Sequence, residues 1–270
     1  MRLNGVELAW GSASDRGLRR PRNEDSHLAE APLFLVADGM GGHEAGAEAS
    51  ARAIAEFTGL VGTRLAPDAV QEAFARAARS VDELGSGSFP PGTTLCGAVL
   101  CEQAGEPYWV ILNVGDSRTY RLFGGSLAQI SVDHSSVQQL IDSGSISAAE
   151  AERHPQRSVI TRALGAGSTA TPDYWLLPVV TAERLLVCSD GLTKELGADD
   201  IGRVLCDEPS PQGAATRLVH EALLRGGRDN ITVVVVDVIE ALTDEESEDD
   251  TAGATLPRPA EQEGEAHGRL

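Results

Sequence analysis

The run Ile231-Thr232-Val233-Val234-Val235-Val236 restricts the fold of this chain more than any other segment. Every side chain in it is β-branched, and no regular polar alternation marks a wet face. Such a run predicts a strand covered on both sides. Leu33-Phe34-Leu35-Val36-Ala37 and Arg184-Leu185-Leu186-Val187-Cys188 read the same way, as short buried strands. Both end in an aspartate followed by a glycine, Asp38-Gly39 and, one residue further on, Asp190-Gly191. Asp229 lies just ahead of the Ile231 run.

Around these strands the spacing predicts further elements. Glu7 to Ser14 reads as a strand. Residues 44–61 and 68–84 carry apolar positions at helical spacing, Ile54, Phe57 and Val61 in the first, Val70, Phe74, Ala77, Val81 and Leu84 in the second. Thr94–Leu100, Tyr108–Val114, Ser117–Leu122 and Leu127–Val132 read as strands, with a hairpin at Phe123-Gly124-Gly125-Ser126. Residues 135–164 are polar and helix-prone, interrupted at Pro155. Ser210-Pro211 is a helix start, a cap followed by proline at the first position, and Gly226-Gly227 is its stop. Neighbouring strands separated by groups of helices point to an α+β layout rather than βαβ alternation.

Residues 1–240 read as one continuous fold and 241–270 as an acidic, disordered tail. The net charge is -19, and residues 240–270 hold ten acids against Arg258 and Arg269. An acidic body repels nucleic acid and anionic membrane surfaces, so neither is expected as a partner. No apolar run approaches the ~18 residues of a membrane-spanning helix, and the first residues lack the apolar core of a secretory signal. Cys96, Cys101 and Cys188 sit in apolar runs and read as small buried hydrophobes, with Cys206 apart from them. Cysteines without zinc-finger spacing suit a reducing compartment, and a cytoplasmic location is expected.

Glu24-Asp25, Asp38, Asp190 and Asp229 together make an all-oxygen donor set. Hard divalent cations, magnesium or manganese, prefer such a set, whereas zinc favours histidine or cysteine. Without a cation, carboxylates converging on one cleft would repel one another. The glycine-rich loop around Gly39, Gly41 and Gly42 allows backbone carbonyls to approach an ion. Arg20 lies close to the acids in sequence, and a guanidinium fork suits two oxygens of a phosphate. These residues alone leave hydrolysis of a phosphoprotein, of a small phosphate ester or of a phosphodiester open. They also leave open a binding protein without turnover, although such a protein would be expected to have lost some of the acids.

Five segments in order carry a resemblance: Arg20-x-x-Asn23-Glu24-Asp25, Ala37-Asp38-Gly39-Met40-Gly41-Gly42-His43, Gly115-Asp116-Ser117-Arg118, Cys188-Ser189-Asp190-Gly191-Leu192 and Asp229-Asn230. The set resembles the bacterial metal-dependent serine/threonine protein phosphatases, the PPM or type 2C family, over roughly residues 6–239. The resemblance implies a four-layer α-β-β-α sandwich of two antiparallel sheets flanked by helices, with residues 1–240 as the catalytic domain. It implies two Mn²⁺ or Mg²⁺ ions bridged by Asp38. Asp190 and Asp229 would complete one ion's shell, and Glu24 with the Gly39 carbonyl would serve the other. Asp25 would bind directly or orient a bound water. A hydroxide held between the ions would attack phosphoserine or phosphothreonine directly, with Arg20 holding the phosphoryl group and no phosphoenzyme forming. The implied partners are phosphorylated proteins, among them serine/threonine kinases and their targets, and the expected state is a monomer.

Two positions depart from the family pattern. Eukaryotic members place a histidine where this chain has Met40, which leaves the leaving-group proton to a metal-bound water; His43 is a candidate substitute but reads first as a loop or helix-start residue. Many members carry an acid where this chain has Lys194; with Asp116 that acid helps bind a third ion. A protonated lysine cannot coordinate, so a weak or absent third site is expected at Asp116. His134 is expected to belong to a helix-capping loop, Gln156, Arg157, Ser158 and Arg162 to a flap, and Trp10, Trp109 and Trp175 to packing.

Overall fold

The structure is a computed structural model that describes residues 1–41, 44–85, 90–151, 153–165 and 170–241. The strands in chain order are β1 (Arg2–Leu3), β2 (Val6–Asp15), β3 (Asp25–Glu30), β4 (Leu33–Met40), β5 (Gly92–Thr93), β6 (Leu95–Gln103), β7 (Glu106–Val114), β8 (Arg118–Phe123), β9 (Ser126–Gln129), β10 (Leu164–Gly165), β11 (Asp173–Pro178), β12 (Arg184–Cys188) and β13 (Ile231–Ala241). The helices are α1 (Glu44–Ala55), α2 (Pro67–Asp82), α3 (Ser136–Asp142), α4 (Ala148–Ala151), α5 (Asp190–Thr193), α6 (Ala198–Asp207) and α7 (Pro211–Arg225).

Two antiparallel sheets result. One runs β1-β2-β13-β12-β8-β9; the other runs β10-β5-β4-β6-β7-β11, with β3 also paired to β4. The unbroken apolar runs are explained by what covers each face. In β13, Val234 and Val236 pack toward the other sheet among Phe34, Val36, Trp109 and Ile111. Val233 and Val235, one residue out of phase, pack with Ile201 and Leu205 of α6 and Leu218 and Ala222 of α7. β4 mirrors this arrangement. Phe34 and Val36 face the inter-sheet core, while Leu33 and Leu35 meet Ala49 and Ala53 of α1 and Val70 and Phe74 of α2. Period-two alternation therefore persists, with both faces dry. The expected α-β-β-α sandwich is the observed one. Between the sheets Phe34 contacts the rings of Trp10 and Trp109 at centroid distances of 5.7 and 6.1 Å.

Helix chemistry follows the sequence signals. Ser210 Oγ accepts the Gly213 N–H at 3.0 Å, Pro211 takes the first position of α7, and Gly226 closes the helix with a φ of 149°. Several boundaries differ from expectation. β4 continues through Asp38-Gly39 to Met40, because the chain stays paired there to β5. The helix expected over 44–61 ends at Ala55 and is followed by a short 3-10 turn, Thr58–Leu60. Residues 135–164 hold only α3 and α4. β3, β11 and α6 were not expected; the half-buried sequence of β3, Asp25-Ser26-His27-Leu28-Ala29-Glu30, has too few apolar residues to announce a strand. Ala241, assigned to the tail, is the last residue of β13, and the tail expected over 242–270 lies outside the described residues. Cys96, Cys101 and Cys188 are buried thiols, as their apolar surroundings in sequence suggest, and Cys206 is exposed. No helix among the described residues is long and apolar enough to cross a membrane.

Candidate metal centre

The acids meet where matching ends of the two sheets open into a cleft of about 930 Å³. Arg20, Glu24, Asp38, Asp116, Asp190, Lys194 and Asp229 all line it. Asp25 and Asp38 come from adjacent strands and stand directly opposite each other across the β3–β4 ladder. Opposed like charges destabilise a sheet unless something compensates them. Asp38 is nonetheless fixed by its backbone: its N–H donates to Thr94 Oγ1 at 2.9 Å, and its carbonyl accepts from the Thr94 N–H and the Thr93 hydroxyl, each at 2.9 Å.

Asp190 and Asp229 arrive from the second sheet. Asp190 opens α5 directly after β12. Ser189 ties the two sheets together: its hydroxyl donates to Asp25 Oδ2 at 2.8 Å and accepts the Thr232 N–H at 2.9 Å. A methyl on Gly191 would come within 1.9 Å of the Asn230 carbonyl oxygen, so the first turn of α5 rests on the backbone next to Asp229. Gly191→Ala is expected to lower stability by about 2 kcal/mol through forced backbone displacement, read as a fall in the thermal midpoint. An unchanged midpoint would show that this contact is not close in the folded protein.

Asn230 organises the opposite wall. Its Oδ1 accepts the Glu24 N–H at 2.9 Å, and its Nδ2 donates to the carbonyls of Arg16 and Arg22 at 2.8 Å each. One buried amide thus pins the segment carrying Arg20 and the start of the acid pair. Glu24 is further set by its carbonyl, which accepts from Ser50 Oγ at 2.6 Å and from the Gly39 N–H at 3.2 Å. Gly39 is required there, since a Cβ would fall 2.1 Å from the Gly46 carbonyl oxygen at the start of α1. Ser189 and Asn230 stand in the quoted motifs without a role of their own, and Thr94, 56 residues from Asp38, carries no local signal.

The electrostatics are those of crowded acids. Burial, reinforced by Asp190 and Asp229, pushes Asp25 up to about 7. Burial and Asp190 raise Asp116 to about 7 as well, and burial with the charges of Asp25 and Asp190 lifts Asp38 well above the carboxylate range. Asp190 is raised by burial too, against the pull of Lys194. Among the described residues, the buried Oδ1 atoms of Asp25 and Asp190 have no hydrogen-bond partner. Asp229 goes the other way. Burial opposes its charge, but Lys194 and Arg20 outweigh that and hold it below the usual value. Arg20 pairs with it through Nε at 2.8 Å and Nη2 at 3.0 Å. Lys194 Nζ donates to Asp229 Oδ2 at 2.9 Å and also pairs with Asp190 Oδ2. Burial pulls the Lys194 ammonium down, but Asp190 and Asp229 override it and keep its pKa above the ordinary lysine value. With two of the acids drawn onto these cations, no three described His, Cys, Asp or Glu side chains stand at coordinating distance in this arrangement.

Other expected site residues fall as follows. Met40 lines the cleft, and His43 lies outside the described residues. His134 lies, as expected, in the loop that caps α3, where Ser135 is the cap and accepts the Gln138 N–H at 3.2 Å. Buried His134 accepts the Gly115 N–H on Nδ1 at 3.2 Å, and its Nε2 lies 3.1 Å from both Asp173 Oδ2 and Arg162 Nη1. Arg162 binds Asp173 at 3.1 Å, anchoring its segment to β11, while Ser158 reaches the cleft wall. Trp109 and Trp10 pack between the sheets, with Trp175 against the same core.

No family model matches the chain. It is 41% identical over 239 residues to the serine/threonine protein phosphatase PstP of Mycobacterium tuberculosis, an alignment that covers 86% of this chain and 45% of that protein. The chain thus spans about half the length of that relative. It is 35% identical over 243 residues to the serine/threonine phosphatase stp of Listeria welshimeri, covering 83% of this chain and 93% of that one. Among solved structures, the catalytic domain of PstP in complex with two manganese ions superposes with a TM-score of 0.76 at 35% identity, over 86% of this chain and 99% of that one. With the sandwich, the ordered acids and near-complete overlap with a whole bacterial relative in agreement, the chain belongs to the PPM-type, or type 2C, serine/threonine phosphatase family.

Proposed function

We propose that this chain is a metal-dependent protein phosphatase that hydrolyses phosphoserine and phosphothreonine, acting on phosphorylated proteins that include bacterial serine/threonine kinases and their targets. The observation that carries the reading is the convergence of Glu24, Asp38, Asp190 and Asp229 from two sheets on one cleft, with Asp25 directly opposite Asp38 behind its wall and the Oδ1 atoms of Asp25 and Asp190 unpartnered among the described residues. Crowded acids of this kind need a cation, and an all-oxygen set suits manganese or magnesium. Asp38 would stand between two ions, Asp190 and Asp229 would hold one, and Glu24 with the Gly39 carbonyl the other. Asp25 would bind directly or through a water. When bound, the ions supply an activated water at neutral pH and neutralise charge on the phosphoryl group. Asp116 lacks a second acid at position 194, so a third ion is weak or absent there.

The remaining work falls to the protein's own groups. Arg20 has Nε and Nη2 on Asp229 and no hydrogen bond on Nη1 among the described residues. From the cleft wall it would hold a phosphoryl oxygen and fix the ester for in-line attack. Thr94, Ser189 and Asn230 keep the acids in place. The reading includes a cytoplasmic, monomeric enzyme.

The test is turnover of a phosphothreonine peptide and of p-nitrophenyl phosphate with manganese, then with chelator. Absence of manganese-dependent turnover sinks the proposal, and a rate confined to small phosphate esters removes the protein substrate from it. Arg20→Ala is expected to lower kcat/KM roughly 30- to 100-fold, the loss of one charge-assisted contact of about 2–3 kcal/mol. A loss under threefold would remove Arg20 from phosphate binding.

A further inference from the structure

Lys194 caps the C-terminal end of α5, one turn beyond Asp190. Residues four apart on a helical turn share a face, so its side chain folds back over Asp190. Its ammonium lies between Asp190 Oδ2 and Asp229 Oδ2, pairing with both. These are the acids assigned above to one of the two ions, and the present inference rests on that reading. An ammonium offers three donors in a compact point charge and takes up oxygens that a divalent cation would also claim. Its partners are recessed, with side chains 14% and 16% exposed, so they would be poorly solvated without it. Arg20, a more exposed side chain, hydrogen-bonds Asp229 and, among the described residues, makes no ion pair with Asp190.

We infer that Lys194 is a tethered counter-ion for the Asp190–Asp229 pair, which keeps that half of the centre folded before metal arrives and must withdraw when the ion there binds. The two ions then load unequally. The ion on the Glu24 side binds without this competition. The ion on the Asp190–Asp229 side binds only to the fraction of molecules in which the lysine has swung away, and its apparent affinity falls by that fraction.

The test is calorimetric titration of the chelator-treated full chain with manganese, alongside melting of the metal-free protein. The wild type is expected to show one tight and one weak manganese. Lys194→Met is expected to tighten the weak one by about tenfold or more, the population penalty being removed. It should also lower the metal-free melting temperature and enlarge the gain on adding manganese. Lys194→Arg, which keeps the charge, should retain the weak class. Lys194→Gln replaces the Met variant if the latter does not fold. Two bound ions with the weak class unchanged in Lys194→Met, or Lys194→Gln, overturn the inference and leave the metal assignment standing. A wild type that takes up no manganese overturns both.

Discussion

Asp38→Asn is expected to reduce manganese-dependent turnover by roughly 10³-fold, about 4 kcal/mol of transition-state stabilisation, while leaving the metal-free protein at least as stable as the wild type. The two halves of this result come from one geometry. Asp38 faces Asp25 across the ladder and feels Asp190 as well, so its charge is a liability in the absence of a cation. Asparagine keeps the shape and the backbone bonds to Thr93 and Thr94 but carries no charge. The same substitution removes the group that would stand between both ions. A purely structural role would give the opposite pattern, a lower melting temperature with chelator and a modest rate effect. Melting in chelator and turnover with manganese, measured side by side, separate the two; a fall in metal-free stability of more than a few degrees would contradict the assignment.

The second large effect lies far from the cleft. Glu183 precedes β12 at the end opposite Asp190, and its side chain is fully buried. Its Oε1 accepts the Trp109 Nε1–H at 2.8 Å and the Val180 N–H at 2.9 Å, and its Oε2 pairs with Arg121 Nε at 2.5 Å. Trp109 belongs to the core between the sheets. Glu183→Ala would strand two N–H donors and remove the partner of a mostly buried guanidinium. Breaking such a pair costs about 3–5 kcal/mol when the remaining charge is buried, and the low end, about 3 kcal/mol, applies because Arg121 retains some solvent contact. Urea unfolding should show a lower midpoint with the slope unchanged, and kcat should hold at concentrations where the protein stays folded. A loss below about 1 kcal/mol would mean that the clamp is not formed in solution.

The parts of this molecule that could be read from sequence were those governed by local rules. Apolar runs on both faces of β4, β12 and β13 required layers on both sides, and the α-β-β-α sandwich supplies them. Ser210-Pro211 announced α7 because capping is a matter of adjacent residues. Asp38, Asp190 and Asp229 were visible because each stands beside the end of an apolar run, and Glu24-Asp25 because two acids are adjacent in the chain. What stayed hidden depends on distant partners. β3 is a strand only because β4 pairs with it, and its half-wet side chains carry no periodic mark. Asn230 reaches back more than two hundred residues to Arg16 and Arg22, which no spacing in the chain reveals. In sequence Lys194 shows only that an acid is missing; that it lies against two carboxylates follows from the turn of α5 and the distant arrival of Asp229.

β13, the last strand described, lies inside its sheet between β2 near the amino end and β12. While the polypeptide is being synthesised, the first two hundred or so residues therefore meet a gap where that strand must insert. Asp229 and Asn230 emerge immediately before it. A chain lacking this strand would have neither a closed sheet nor the Asp229 side of the cleft, and it would expose the unpaired edges of β2 and β12, which invite association with other chains.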